Sequence, residues 1–190
     1  MLSPDALARL ARRIGASDQG AFADVFGAFR EPLLRYTHSV VGDGAAAHDL
    51  VQDVFVALWE GRHTLDPEAP LAPTLYRMAR NRAFNHVRDR RLHEAVHDGI
   101  RRDADAPAEP HDALDADALG VRLRAWIGAL PERQREALVL TRDRGLSHHD
   151  AAAVMGVSPR TLNNHVVRAL TQLHARLAAH APDLARPLRR

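Results

Sequence analysis

Cysteine is absent from this chain of 190 residues, and so is lysine: all 26 positive charges are arginine. Without cysteine there is no disulfide, no thiolate zinc site and no thiol sensor, which fits a cytosolic protein. Without lysine there is no phosphate-binding loop ending in Gly-Lys and no Schiff-base chemistry. Long apolar runs are also missing, so no segment reaches the length of a membrane span. The N-terminus, with Pro4, Asp5, Arg9, Arg12 and Arg13, lacks the apolar core of a secretory signal. These absences predict a soluble cytoplasmic protein with no membrane insertion. Its length suits one medium domain or two small ones, each able to bury a core without staples.

The net charge is only +2, but the charge is sorted along the chain. Residues 75–91 hold six arginines (77, 80, 82, 88, 90, 91) against Asp89. Residues 103–117 hold six acids (Asp103, Asp105, Glu109, Asp112, Asp115, Asp117) and no arginine. A basic helix followed by an acidic tether implies one surface for phosphates and one segment kept off them.

Apolar spacing predicts helices throughout, with no alternating strand and no repeat, hence an all-α fold. Ser3 and Pro4 start a first helix, and Ala21, Phe22, Val25, Phe26 and Phe29 carry a second. Pro32 predicts a break before Leu33, Leu34, Tyr36 and Val40. Gly42-Asp43-Gly44 is a turn, the next helix runs to about Glu60, and residues 61–73, with three prolines, read as a loop. A long helix is expected from Leu75 to about Leu92. The composition then shifts to Ala, Asp, Pro and Gly, so residues 93–111 read as a flexible acidic linker between two small helical domains, 1–92 and 112–180. Leu123, Trp126, Ile127 and Leu130 form a core stripe in the second.

The richest segment is SHHDAAAVMGVSPRTLNNHVVRALTQL, Ser147 to Leu173, which reads as a helix-turn-helix. Ser147 caps a helix and Asp150 completes the reciprocal box, while Ala151, Ala152 and Met155 make a small buried face. Gly156 supplies the turn, Ser158 caps again, and Pro159 takes the first helical position. Val157 and Leu162 are spaced as a hydrophobic staple. Leu162, Val166, Leu170, Leu173 and Leu177 are expected inside, leaving Arg160, Thr161, Asn164, Val167 and Arg168 outside. No acidic side chain occurs from Val154 to Pro182. Donors, acceptors and a methyl-rich contact on such a face are the groups that read base edges and hold phosphates from the major groove.

Taken together, the two halves resemble the extracytoplasmic-function sigma factors of bacterial RNA polymerase, over nearly the whole chain. DLVQDVFVALWE (Asp49 to Glu60) resembles the family's polymerase-binding helix; its buried stripe is Leu50, Val51, Val54, Phe55, Leu58 and Trp59. The resemblance assigns core-polymerase contact to Asp49, Gln52, Asp53 and Val56. LYRMARNRAFNHVRDRR (Leu75 to Arg91) resembles the minus-10 recognition helix, implying DNA contact by Arg77, Arg80, Asn81, Arg82, Asn85 and Arg88, with Leu75, Met78, Ala79 and Val87 facing the core. It further implies that Asn81 helps capture an unstacked base in a pocket formed by residues 65–73. LPERQREALVLTRDRGLSHHDAAAVMGVSPRTLNNHVVRALTQL (Leu130 to Leu173) resembles the minus-35 domain, implying contacts by Ser158, Arg160, Thr161, Asn164, His165 and Arg168. Thr74, Asn85 and His165 depart from the family's frequent tryptophan, aspartate and arginine. The implied partners are core RNA polymerase, promoter DNA and an anti-sigma factor. No cofactor, metal or small-molecule substrate is expected, and no enzyme activity.

Two rival signals stand beside this. His93-Glu94-Ala95-Val96-His97 matches H-E-x-x-H, the pattern of a zinc hydrolase helix, with Glu109 and Glu132 available as third ligands. It opens the expected linker, where no core would hold ligands in place. A response regulator can carry a similar helix pair as its output domain, but its receiver needs alternating buried strands and a lysine.

Overall fold

The computed structural model describes residues 2–66, 68–97, 116–142 and 146–181, with side chains of 95–97 and 116–118 left aside. Most of the expected linker, together with Glu109 and the other acids from Asp103 to Asp115, lies outside the described residues. The helices are α1 (Pro4–Gly15), α2 (Gln19–Val41), α3 (Gly44–Glu60), α4 (Leu71–His97), α5 (Ala116–Gly128), α6 (Glu132–Arg142), α7 (His148–Met155) and α8 (Pro159–His180), with a 3-10 turn at Arg62–Thr64. No strand occurs among the described residues, so the architecture is all-α.

Local chemistry fixes the helix starts. The Ser3 hydroxyl accepts from the Ala6 amide, and Asp18 accepts from Ala21. That backbone bond, together with a side-chain bond donated by Arg13 Nε, holds the Asp18 carboxyl below its ordinary range. Asp43 accepts from the amides of Ala45 and Ala46, directly after Gly42 ends α2 in the left-handed conformation at φ 75°.

Four expectations about helix limits and faces are corrected. Pro32 does not break α2, which continues through it. An internal proline costs about 3 kcal/mol, but Val25, Phe29, Leu33, Leu34 and Tyr36, on either side of it, are all buried in the core. Helix α4 starts at Leu71, four residues before the expected Leu75, because Pro73 falls in the first turn, where a missing N–H is harmless, and Leu71 and Ala72 are buried. It also continues to His97, so the H-E-x-x-H residues end a helix instead of opening a linker. In α8 the buried line is Leu162, Val166, Ala169 and Leu173; Leu170 is 46 % exposed. Steps of four, three and four follow the 3.6-residue turn more closely than the line through Leu170.

Helices α1–α4 form the first bundle. Phe22, Phe26 and Phe55 pack edge-on or tilted at centroid distances of 6.2 and 4.8 Å. In the second domain, Leu130, Leu138, Ala169 and Leu173 gather Leu123, Trp126 and Ile127 of α5, the expected stripe. The two domains are docked: α6 packs on α2 and α7 on α4. Ala137, Leu140, Ala151, Ala152, Met155 and Leu162 belong to the same apolar cluster as Leu33, Tyr36, Leu75 and Ala79.

Candidate nucleic-acid and polymerase interfaces

Burial of Val51, Val54, Phe55 and Leu58 fixes the rotation of α3; Leu50 and Trp59 are half-buried. Asp49, Gln52, Asp53 and Val56 consequently lie on the exposed face, in agreement with the expected orientation. Val56, 47 % exposed among acids, is an apolar contact set in a negative surface.

Helix α4 turns two kinds of face outward from the bundle. Leu75, Ala79, Ala83 and Val87 are buried, and Met78 is half-buried. Arg77, Asn81, Asn85 and Arg88 form one exposed line at helical spacing, while Arg82 is half-buried. Arg88 makes a 3.3 Å pair with Asp89, both well exposed, of the kind that contributes little.

Arg80 is placed differently. Its side chain is only 18 % exposed, its Nε donates to Glu136 Oε1 at 2.7 Å, and its guanidinium lies 4.6 Å from the Phe84 ring centre. Tyr36 Oη donates to the same oxygen at 3.1 Å, and Arg133 approaches Oε2 at 3.3 Å. Burial, reinforced by the Glu136 charge, pushes the Tyr36 phenol well above its ordinary range. Neither Tyr36 nor Glu136 is singled out by sequence. The available hint was a glutamate directly before the apolar run Ala137 to Leu140.

The segment before α4 is anchored from behind. Arg62 Nε donates to Ser17 Oγ at 2.8 Å, its Nη1 donates to the Trp59 carbonyl at 2.7 Å, and its guanidinium stacks on the Trp59 ring at 4.6 Å. Ser17 itself holds a φ of 63°, in the left-handed region. Arg12 pairs with Glu68 at 2.9 Å, although both are well exposed.

The helix-turn-helix geometry matches its sequence signals. Ser147 and Asp150 form the reciprocal capping box, Gly156 has φ 66°, and the Ser158 hydroxyl accepts from the Thr161 amide. Ser158 Oγ and Thr161 Oγ1 are 2.8 Å apart, so both hydroxyls belong to the cap as well as to the exposed face. Arg160, Asn164, Val167 and Arg168 are exposed and His165 is half-buried. His93 and Glu94 lie on the exposed end of α4, where Glu94 pairs with Arg90 at 3.5 Å. Among the described residues no group of three His, Cys, Asp or Glu stands close enough to hold a metal.

An all-α chain with a capped helix-turn-helix and a second, basic helix defines a class of DNA-binding regulators built from two helical modules. Comparison with known proteins narrows the class. Residues 25–93 match the Sigma-70 region 2 family and residues 120–173 match Sigma-70, region 4. The RNA polymerase sigma factor CnrH of Cupriavidus metallidurans is 28 % identical over 90 % of this chain and 93 % of its own. The ECF RNA polymerase sigma factor EcfG of Rhodopseudomonas palustris is 31 % identical over 77 % and 80 %. Among solved structures, CnrH in complex with the cytosolic domain of CnrY superposes with a TM-score of 0.68, covering 91 % of this chain and 97 % of that one. The sigma factor RpoE in complex with the anti-sigma factor NepR, from Bartonella quintana, gives 0.67 at 26 % identity, covering 82 % and 96 %. The chain belongs to the sigma-70 family, in its extracytoplasmic-function class. It is an RNA polymerase sigma factor, a DNA-binding initiation subunit whose partners are core polymerase and promoter DNA.

Proposed function

We propose that the work is divided by residue as follows. Asp49, Gln52, Asp53 and Val56 on α3 dock on core polymerase. Arg77, Arg80, Asn81, Arg82, Asn85 and Arg88 on α4 engage and melt the minus-10 element. Ser158, Arg160, Thr161, Asn164, His165 and Arg168 on α8 read the minus-35 element. Residues 1–92 and 112–180 act as the two functional domains and 93–111 join them, the first five of these as the end of α4. The chain carries out no chemistry; polymerase makes the bonds, in the cytoplasm. An anti-sigma factor is a further partner, in line with the RpoE complex with NepR.

One observation carries this reading: the exposed line Arg77, Asn81, Asn85 and Arg88 on α4. Two guanidiniums hold a backbone in register while two carboxamides are left to bond base edges. Drawing a base out of the stack costs a few kcal/mol, which edge hydrogen bonds and stacking offset. On α3 the acids suit a basic partner and Val56 supplies an apolar centre.

The test is reconstitution with bacterial core polymerase, followed by mapping of transcript 5′ ends. The chain should co-purify with core enzyme and select discrete start sites, and Asp49→Ala with Asp53→Ala should weaken that association while sparing duplex binding by the C-terminal domain. A chain that neither associates nor selects a start site would overturn the proposal.

A further inference from the structure

The docked domains meet at a polar centre made of groups from both. Tyr36 Oη from α2 and Arg80 Nε from α4 converge on one oxygen, Glu136 Oε1 of α6, at 3.1 and 2.7 Å. Both donors are held by ring contacts that do not involve the carboxylate. The Tyr36 ring packs edge-on against Tyr76 at 5.6 Å, and the Arg80 guanidinium rests over Phe84 at 4.6 Å. Tyr36, Tyr76, Arg80 and Phe84 all belong to the first domain, so the donor pair keeps its scaffold if the second domain leaves. Glu136 is 2 % exposed, and its remaining oxygen is met by Arg133 of its own helix.

A phenol O–H and a guanidinium N–H aimed at one anionic oxygen, above an aromatic floor, form a donor set that a phosphodiester oxygen also satisfies. Arg80 sits on the same helix, within one turn of Arg77 and Asn81. We propose that Tyr36 and Arg80 form a binding site for a DNA backbone phosphate, and that the Glu136 carboxylate fills this site while the domains are docked. The inference rests on α4 being the minus-10 helix. It assigns DNA contact to a tyrosine outside the basic face, and makes promoter engagement and domain docking mutually exclusive at this point. The carboxylate is tethered and present at high effective concentration, so DNA gains the site once polymerase holds the domains apart.

The experiment uses the full chain, alone and reconstituted with core polymerase, on a promoter duplex chosen by transcript mapping. In the free chain Glu136→Gln should raise duplex affinity about tenfold, since a neutral amide holds the Tyr36–Arg80 pair less tightly. In the holoenzyme Tyr36→Phe should lower affinity about tenfold without changing the salt slope, and Arg80→Ala should lower it while reducing the slope by about 1. The deciding variant is Tyr36→Phe in the Glu136→Gln background. A loss of affinity there supports a phosphate site; no change or a gain shows that the trio only clamps the domains and overturns the proposal. Helical circular dichroism and melting temperature confirm that each variant is folded, and Arg80→Lys, which keeps the charge, replaces Arg80→Ala should the latter not fold. A wild-type holoenzyme that selects no start site would overturn the promoter reading itself, a result distinct from failure of the pair.

Discussion

Helices α4 and α8 both carry guanidiniums and carboxamides at helical spacing, yet they stand in opposite situations. On α8 the proposed contacts Arg160, Asn164 and Arg168 all face solvent, and the caps that shape the turn are local. On α4 the exposed line lies beside Arg80, which is largely buried and engaged by a residue 56 positions away. The proposed minus-35 surface is thus preformed, whereas one part of the proposed minus-10 surface is covered by the other domain. Possessing a recognition surface and having it available are separate properties of a helix.

The largest expected effect tests whether the α8 side is as rigid as its caps imply. Leu162 is fully buried at the meeting of α7, α8 and the shared cluster, so Leu162→Ala should cost about 2–5 kcal/mol in denaturant unfolding. A cost below 1 kcal/mol would mean that the helix pair is loose and the contrast false. Next, Arg160→Ala or Asn164→Ala should lose about 1–3 kcal/mol on the cognate upstream element and much less on unrelated duplex, measured by competition binding. Equal loss on every sequence would reduce these side chains to phosphate contacts. On the α4 side, Asn81→Ala should slow open-complex formation by roughly tenfold while leaving initial promoter binding nearly intact, as permanganate footprinting against time would register.

A smaller effect is due at the α8 cap. Ser158→Ala removes the acceptor for the Thr161 amide and should cost about 1 kcal/mol, read as a lower melting temperature. The smallest at neutral pH concerns Tyr36, whose folded pKa is raised by burial and by the Glu136 charge. A raised value favours the protonated form in the folded state. The stability it contributes is therefore complete below the unfolded value of about 10 and is lost as pH rises from there towards the folded value. Denaturant melts between pH 8 and pH 11 should show this decline, and Tyr36→Phe should remove it.

Short-range chemistry was legible in the sequence and long-range pairing was not. Ser147, Asp150, Gly156, Ser158 and Pro159 announce the helix-turn-helix because each acts on neighbours within four residues, and the structure places each in its expected role. The rotation of α3 was legible for the same reason. Pro32 misled because its local cost is outweighed by packing against other helices, and Pro73 because a proline inside a first turn looks, in sequence, like one in a loop. Leu170 was misplaced by a single position in a drifting stripe. For Glu136 the apolar run that follows it was only a faint hint: a glutamate in a helix is ordinarily solvated, and its partners lie on α2 and α4, far away in sequence.

The outer face of α3 is solvent-exposed in the docked structure, whereas Arg80 is not. On the proposed assignment, capture by the transcription machine comes first and engagement of DNA by Arg80 second. On that assignment an encounter on α3 needs no prior rearrangement, the α8 face stands ready throughout, and only the Tyr36–Arg80 grip on nucleic acid matures after recruitment.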